Sequence, residues 1–276
     1  MDSFFFIPGD KLLNINKIRS LGVDEIIIDL EDAVKASERD FILTQLISNN
    51  EFYKEFYIRI PLYHSSTRKV DNQILLLLLK NGFRKFVFPK VVSSDDFVLL
   101  EEDFREFYPK IILLIETPRL LLEAKDLLLK YRDCFSGIAV GSHDFISLVG
   151  GIHTLQNLEF LRLQILYLAR MIDILAIDIA SMELQDTESL AIEIMDGVYK
   201  GFDAKMYIHP KQIEVLRSMK LYTTEEQIWA CKVKDAFGYV QENEEFIPVV
   251  IDGKVIEKPH LKRAEKILNH FRNEDV

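Results

Sequence analysis

The sequence predicts a (β/α)8 barrel followed by a C-terminal appendage, and three observations carry that reading. Short apolar runs with strand character stop repeatedly at a charged or hydrogen-bonding residue: IIIDLE at Glu31, YIRI carrying Arg59, KFVFPK at Lys90, IILLIE at Glu116, GIAVGSHD at Asp144, ILAID at Asp178 and KMYIH at His209. These stops recur every 26 to 34 residues, by subtraction of their positions, which is the length of one strand, one helix and two short loops. Runs such as the three isoleucines of Ile26–Ile28 are unbroken and β-branched, as in strands buried on both faces. In a parallel barrel all strand C-termini face one mouth, so polar stops are expected to assemble one site from distant sequence. The chain reads as an enzyme.

The elements follow in order. Phe4–Ile7 is the first strand, halted by Pro8-Gly9, and a helix over Lys11–Ser20 is closed by Gly22, as a residue just past a helix end often is. Glu25–Leu30 is the second strand; Ser37 with Asp40 then suggests a capping-box variant at the next helix. Phe56–Ile60 and Lys85–Phe88 are strands three and four, with a helix over Asp71–Asn81 between them, and Ser93-Ser94 cap the helix that follows. Ile111–Ile115 runs to Glu116, and Thr117 is a cap with Pro118 at the first helical position, which places Glu116 at the mouth. Gly137–Val140 is strand six, leading through Gly141–Asp144 into a looser segment around Gly150-Gly151. A long helix over Leu155–Met171 precedes strand seven at Ile174–Ile177; Asp186 or Thr187 caps the next helix, Gly201 ends it, and Lys205–Ile208 is strand eight. Beyond the barrel, Thr223-Thr224 cap a helix to about Tyr239, EEFIPVVIDGKVIE reads as a hairpin turning at Asp252-Gly253, and Pro259–Phe271 is a last helix. The expected division is a barrel over 1–220 and a lid or oligomerisation segment over 221–276.

Composition narrows the function. The 276 residues slightly exceed a typical barrel of about 250. A net charge of −10 argues against nucleic acid, whose phosphates need a basic footprint. The most apolar stretch, Ile74–Leu79, is bounded by Asp71 and Lys80 and is far short of a membrane span. Cys134 and Cys231 lie apart with no zinc spacing and read as reduced thiols of a cytoplasmic protein, and MDSFFFIPGD lacks the basic start of a signal peptide.

Glu116 and Asp144, at the ends of adjacent strands with no Cys or His cluster nearby, suit a hard cation completed by water and substrate, Mg²⁺ rather than Zn²⁺. The competing reading is a pair of surface or capping acids. Arg59 faces the same mouth and suits a bidentate carboxylate clamp; its alternative is a structural ion pair with Glu31 or Asp32. His209 more simply shapes the turn after strand eight.

FIPGD at 6–10, IIIDLEDAV at 26–34, RI at 59–60, FPKV at 88–91, LLIET at 113–117, AVGSHD at 139–144, GFDAKMYIHPKQIEVL at 201–216 and DGKVIEKP at 252–259 together resemble the citrate lyase β-subunit family of the HpcH/HpaI aldolase group. The resemblance implies Mg²⁺ on Glu116 and Asp144, Arg59 over the reacting oxygen, and Glu31 and Asp32 as partners of Arg59 and of metal-bound water. It implies an acyl-CoA ester and a small 2-oxo acid as reactants, with Pro8, Gly9 and Lys11 in the loop that receives CoA. Lys11 stands where the family usually has arginine, and His143 stands where it has glutamate. Its catalytic aspartate, lent across the interface of a homo-oligomer (trimer or hexamer), aligns with Glu257. A CoA-independent 2-oxo acid aldolase and an accessory protein that keeps the fold are the alternatives.

Overall fold

Alternation along each strand decides which side chains fill the barrel and which face the surrounding helices. The computed structural model describes residues 1–64, 67, 69–237 and 248–274. The chain divides into two units, Met1–Ser218 and Met219–Val276.

The first unit is a closed barrel of eight strands in sequence order: β1 Asp2–Pro8, β2 Glu25–Asp29, β3 Tyr57–Arg59, β4 Lys85–Phe88, β5 Lys110–Ile115, β6 Phe135–Val140, β7 Leu175–Asp178 and β8 Ala204–Tyr207. All neighbours pair in parallel and β1 closes on β8. Phe4, Ile27, Tyr57, Val87, Ile112, Leu114, Ala139, Ile177, Ala204 and Met206 form one buried cluster inside it. Residues of the other parity face the helix layer; Phe88 of β4, for example, packs against Phe97 and Phe104. Burying such side chains stabilises the fold by roughly 1.5–3 kcal/mol each.

The connecting helices are α1 Ile15–Arg19, α2 Ala36–Ser48, α3 Asn50–Tyr53, α4 Gln73–Lys80, α5 Ser94–Phe104, α6 Pro118–Lys130, α7 Ser142–Val149, α8 Leu155–Ile172, α9 Thr187–Lys200 and α10 Pro210–Ser218. Their expected caps form at Ser93, Thr117 and Asp186, whose side-chain oxygens accept from the N–H groups of Asp96, Leu120 and Ser189. Three local expectations change. The segment after β1 is a 3₁₀ turn over Gly9–Asn14 before α1, and α2 starts behind Lys35 with no side-chain cap, so Ser37 and Asp40 do not form a capping box. The segment leading to Gly150 is the helix α7, ended by Gly150 at φ 72°.

In the second unit α11 Thr224–Phe237 is followed by the antiparallel pair β9 Val249–Ile251 and β10 Lys254–Ile256, then α12 Pro259–Glu274. Thr223 and Glu226 form a reciprocal capping box. Asp252 and Gly253 both have positive φ, 51° and 76°, the conformation of a tight hairpin turn. Arg263 bonds Glu226 and stacks over Trp229, joining α12 to α11. The end of the expected helix at Tyr239 and the first residues of the expected hairpin lie outside the described residues. Both cysteines are free. Among the described residues no helix is long and apolar enough to cross a membrane.

Candidate active site

Asp29 and Arg59 are the last residues of β2 and β3 and are direct partners in the parallel register. Both have the parity of the barrel interior, so they meet at the mouth. Arg59 Nε donates to Asp29 Oδ1 at 2.8 Å and Nη2 to Oδ2 at 2.5 Å. Its Nη1 stands 3.6 Å from Glu31 Oε2, and its guanidinium lies 5.1 Å from the centre of the Phe6 ring, within cation–π range. Burial opposes the charge on Arg59, but Asp29, Glu31 and Asp32 outweigh it and hold the guanidinium above its ordinary range.

Glu116 follows β5 directly and is 3% exposed. Its Oε2 accepts the backbone N–H of Lys90 at 2.5 Å, which Lys90 presents from a left-handed conformation at φ 56°. That conformation costs a non-glycine residue of order 1 kcal/mol or more, and here it aims a peptide donor into the site. Opposite, a Cβ at Gly141 would lie 2.1 Å from Glu116 Cγ, so only glycine leaves room for this carboxylate. Burial, opposed by the Lys90 N–H and aided by the charge on Asp144, pushes Glu116 up to about 8. Asp144 sits in the first turn of α7. Two carboxylates repelling each other across a shared cavity, one of them buried, make a place that a cation would relieve.

Arg59, Glu116 and Asp144 line one cavity of about 400 Å³ together with Asp29, Asp32, His143 and Pro8. Glu31 is beside it rather than on it. Lys90 Nζ bridges Glu31 at 2.5 Å and Asp32 at 2.6 Å. Burial raises the Glu31 carboxyl, whereas Lys90 and the shared hydrogen bond hold Asp32 low despite its own burial. Glu31 Oε2 is buried without a hydrogen bond. Of the residues expected in the nucleotide loop, Pro8 touches the cavity, Gly9 is buried, and Lys11 is exposed on the 3₁₀ turn, outside the cavity lining. A Cβ at Gly9 would press on Leu30 Cδ2 at 2.8 Å and Asp29 O at 3.1 Å, so this glycine serves the packing of the β2 exit. Glu257 is an exposed residue of the second unit whose N–H donates to His260 Nδ1.

Three strand stops depart from a single shared mouth. Asp178 has the outward parity of β7 and is fully buried against Arg162 of α8. Lys90 turns its ammonium to Glu31 and Asp32, and His209 Nδ1 accepts from the Lys211 N–H, shaping the first turn of α10. Arg59 does form an ion pair, the alternative to its expected role as a carboxylate clamp, but its main partner is Asp29, with Glu31 second. Asp29 is the residue that pattern reading missed; counting in twos from the interior Ile27 finds it. His143 and His153 stack face to face with centroids 4.0 Å apart, and His153 Nε2 meets Ser142 Oγ at 2.9 Å.

A profile described as HpcH/HpaI aldolase/citrate lyase matches residues 2–210. The chain belongs to this family. The same fold is seen in a crystal structure of CitE from Mycobacterium tuberculosis in complex with magnesium, acetoacetate and coenzyme A, which superposes with a TM-score of 0.76 at 24% identity, covering 97% of each chain. Curated relatives include the citrate lyase subunit beta of Haemophilus influenzae, 25% identical over 98% of this chain and 97% of its own. Human mitochondrial citramalyl-CoA lyase is 25% identical over 94% of this chain and 82% of its own. The family assignment makes the chain a lyase or aldolase of the carbon–carbon bond.

Proposed function

We propose that the chain cleaves, or in reverse forms, the carbon–carbon bond of a 3-hydroxyacyl-type CoA ester, exchanging it for an acyl-CoA and a small 2-oxo acid with Mg²⁺. The observation that carries this reading is the convergence of Arg59, Glu116 and Asp144 on one cavity from the C-terminal end of β3, the exit of β5 and the first turn of the helix after β6. Relatives that act on CoA esters and a structural neighbour bound to magnesium and coenzyme A support it.

Glu116 and Asp144 would hold Mg²⁺, and Gly141 and the Lys90 N–H fix the Glu116 carboxylate for that purpose. Bound there, the ion would polarise the carbonyl and carboxylate of the oxo acid. Cleavage takes the proton from the carbinol oxygen, turns that oxygen into a ketone, and sends the pair of the breaking bond to the carbon beside the thioester, which then takes up a proton. Arg59 lowers the cost of charge on the reacting oxygen, held in place by its two bonds to Asp29. Its Nη1 makes no hydrogen bond within the described residues and is the donor free for substrate. In the same reading the protein is a cytoplasmic homo-oligomer, and Glu257 of a neighbouring protomer delivers the proton.

Two measurements test this. Incubation of the protein and Mg²⁺ with a panel of acyl-CoAs and glyoxylate, pyruvate or oxaloacetate, read by mass spectrometry, should give the condensed CoA ester; turnover of free hydroxy acids without CoA would point instead to a CoA-independent aldolase. Mg²⁺ with an oxo acid should raise the melting temperature of the wild type by the linkage expected of a native-state ligand, about 2.7 kcal/mol at a hundredfold excess over Kd, and do less for Glu116→Gln. Equal shifts in both proteins would remove the metal assignment.

A further inference from the structure

Acids outnumber cations at the barrel mouth. Asp29, Asp32, Glu116 and Asp144 line the cavity, and among the described lining residues Arg59 is the one Lys or Arg. Its fork is already shared with Asp29. The adjoining arc of β7, β8 and β1 is apolar, built from Ala180, Met182, Met206, Ile208 and Phe6. The backbone there adds no donor at Ile208 or His209, whose N–H groups are both taken by Gln212 Oε1. A carboxylate entering this cavity needs a donor that brings no further negative charge.

The exit of β6 supplies one. Ser142, His143 and Asp144, the first residues of α7, all line the cavity. Ser142 is 2% exposed, and its hydroxyl meets His153 Nε2 at 2.9 Å. The His153 ring lies flat on that of His143, with centroids 4.0 Å and planes 4° apart. Burial, and after it His143, hold the His153 imidazole below its ordinary pKa, so this supporting ring is uncharged at neutral pH. Ser142 anchors His153, and His153 fixes the plane of His143.

Four side-chain atoms among the described residues are buried without a hydrogen bond: Glu31 Oε2, Glu193 Oε1, Tyr207 Oη and His143 Nε2. The two carboxylate oxygens face cations, Arg59 at 3.6 Å and Lys205 at 2.6 Å. Of the four, His143 is the residue that lines the cavity. An orphaned buried polar atom keeps the desolvation cost of its missing partner, and a ligand that supplies the partner recovers it.

We propose that His143 binds the substrate directly: its Nε2–H donates to the carboxylate of the oxo acid, and the stack on His153 sets the direction of that N–H. This rests on the reading above and adds a residue to it. A carboxylate is an acceptor only, and a neutral imidazole N–H gives it a charge-assisted hydrogen bond without adding to the acids already present. No proton changes hands. The carboxylate is the same in ground and transition state, so losing this bond raises KM and leaves kcat in place.

The test is calorimetric titration of pyruvate into the protein in Mg²⁺. His143→Phe keeps a ring on His153 and lacks the N–H, so Kd should rise about tenfold or more, the scale of one hydrogen bond to a charged group. His143→Gln carries an amide N–H to the place of Nε2 and should stay within about threefold of the wild type, whereas His143→Asn, whose amide falls at Nδ1, should follow His143→Phe. His153→Ala removes the stack and should weaken binding by a smaller factor. Melting temperatures without ligand identify the folded variants, and the Gln and Asn substitutions decide the matter if His143→Phe does not fold. Equal Kd in wild type and His143→Phe, or binding kept by Asn and lost by Gln, overturns the proposal while the oxo-acid reading stands. Wild-type protein that binds no pyruvate overturns that reading and this role with it. In ¹⁵N-labelled protein with pyruvate and Mg²⁺ the His143 ring should carry its proton on Nε2, and a proton on Nδ1 alone overturns the assignment. In condensation with an acyl-CoA, His143→Phe should raise the KM for pyruvate at constant kcat; a fall in kcat at constant KM would make His143 a proton-transfer residue and overturn the binding role.

Discussion

Arg59 and Arg162 each hold an aspartate with two hydrogen bonds, at 2.8 and 2.5 Å for Asp29 and at 2.8 and 2.6 Å for Asp178. The side chains of the second pair are fully buried, and Arg162 is tied further to Asp196, which Lys200 also contacts. The first pair is 15% and 4% exposed and opens on the cavity. The same chemistry therefore serves two ends. Asp178 is one residue out of phase with the interior Ile177 and faces the helix layer; Asp29 is in phase with Ile27 and faces the mouth. Strand parity, rather than residue type or pair geometry, separates the structural arginine from the one placed to act on a substrate.

Substitution can break that comparison from either side. Arg162→Met leaves the Asp178 carboxylate buried with no guanidinium and should cost about 3–5 kcal/mol, read as a large fall in the denaturation midpoint. The folded fraction should keep its turnover. Pairing it with Asp178→Leu should recover much of the loss, because removing both partners is cheaper than orphaning one. A turnover loss that persists in the stable double variant would show that this pair also shapes the site.

The mirror experiment is Arg59→Lys. It keeps the charge and loses the planar fork, so turnover should fall by a factor of about ten to a thousand while the melting temperature moves little. A large stability loss with turnover preserved would make Arg59 the structural twin of Arg162.

A smaller effect sharpens the contrast through pH. The raised carboxyls of Glu116, at about 8, and Glu31 bind a proton more tightly folded than unfolded. Their contribution to stability is full below the ordinary carboxylate pKa of about 4.5 and is lost as pH rises through the folded value. In chelator-treated protein, stability should decline between about pH 6 and pH 8 by about 1–2 kcal/mol after partial screening. Glu116→Gln should flatten that decline, and added Mg²⁺ should do the same for the wild type. The same slope in Glu116→Gln would place its origin elsewhere.

Much of this was legible before folding was considered. The thirty-residue recurrence of strand-like runs, the caps at Ser93, Thr117 and Asp186 and the hairpin turn at Asp252-Gly253 are local signals, and local signals survive in a linear string. Arg59, Glu116 and Asp144 were visible because a strand end followed by a helix cap puts a side chain at the mouth. Asp29 was obscured because it stands inside an acidic run, DLED, where composition gives no reason to prefer one carboxylate over another.

By itself the sequence determined the repeat, and with it the barrel, because period and turn chemistry are properties of neighbours along the chain. Only the tertiary structure decided which charges meet: that Arg59 grips Asp29, that Asp178 turns away to Arg162, that Lys90 lends Glu116 a peptide N–H from a left-handed backbone, and that β7, β8 and β1 leave an apolar arc beside the charges. Those outcomes depend on parity and register between strands tens of residues apart, and a one-residue change of phase would reverse each of them.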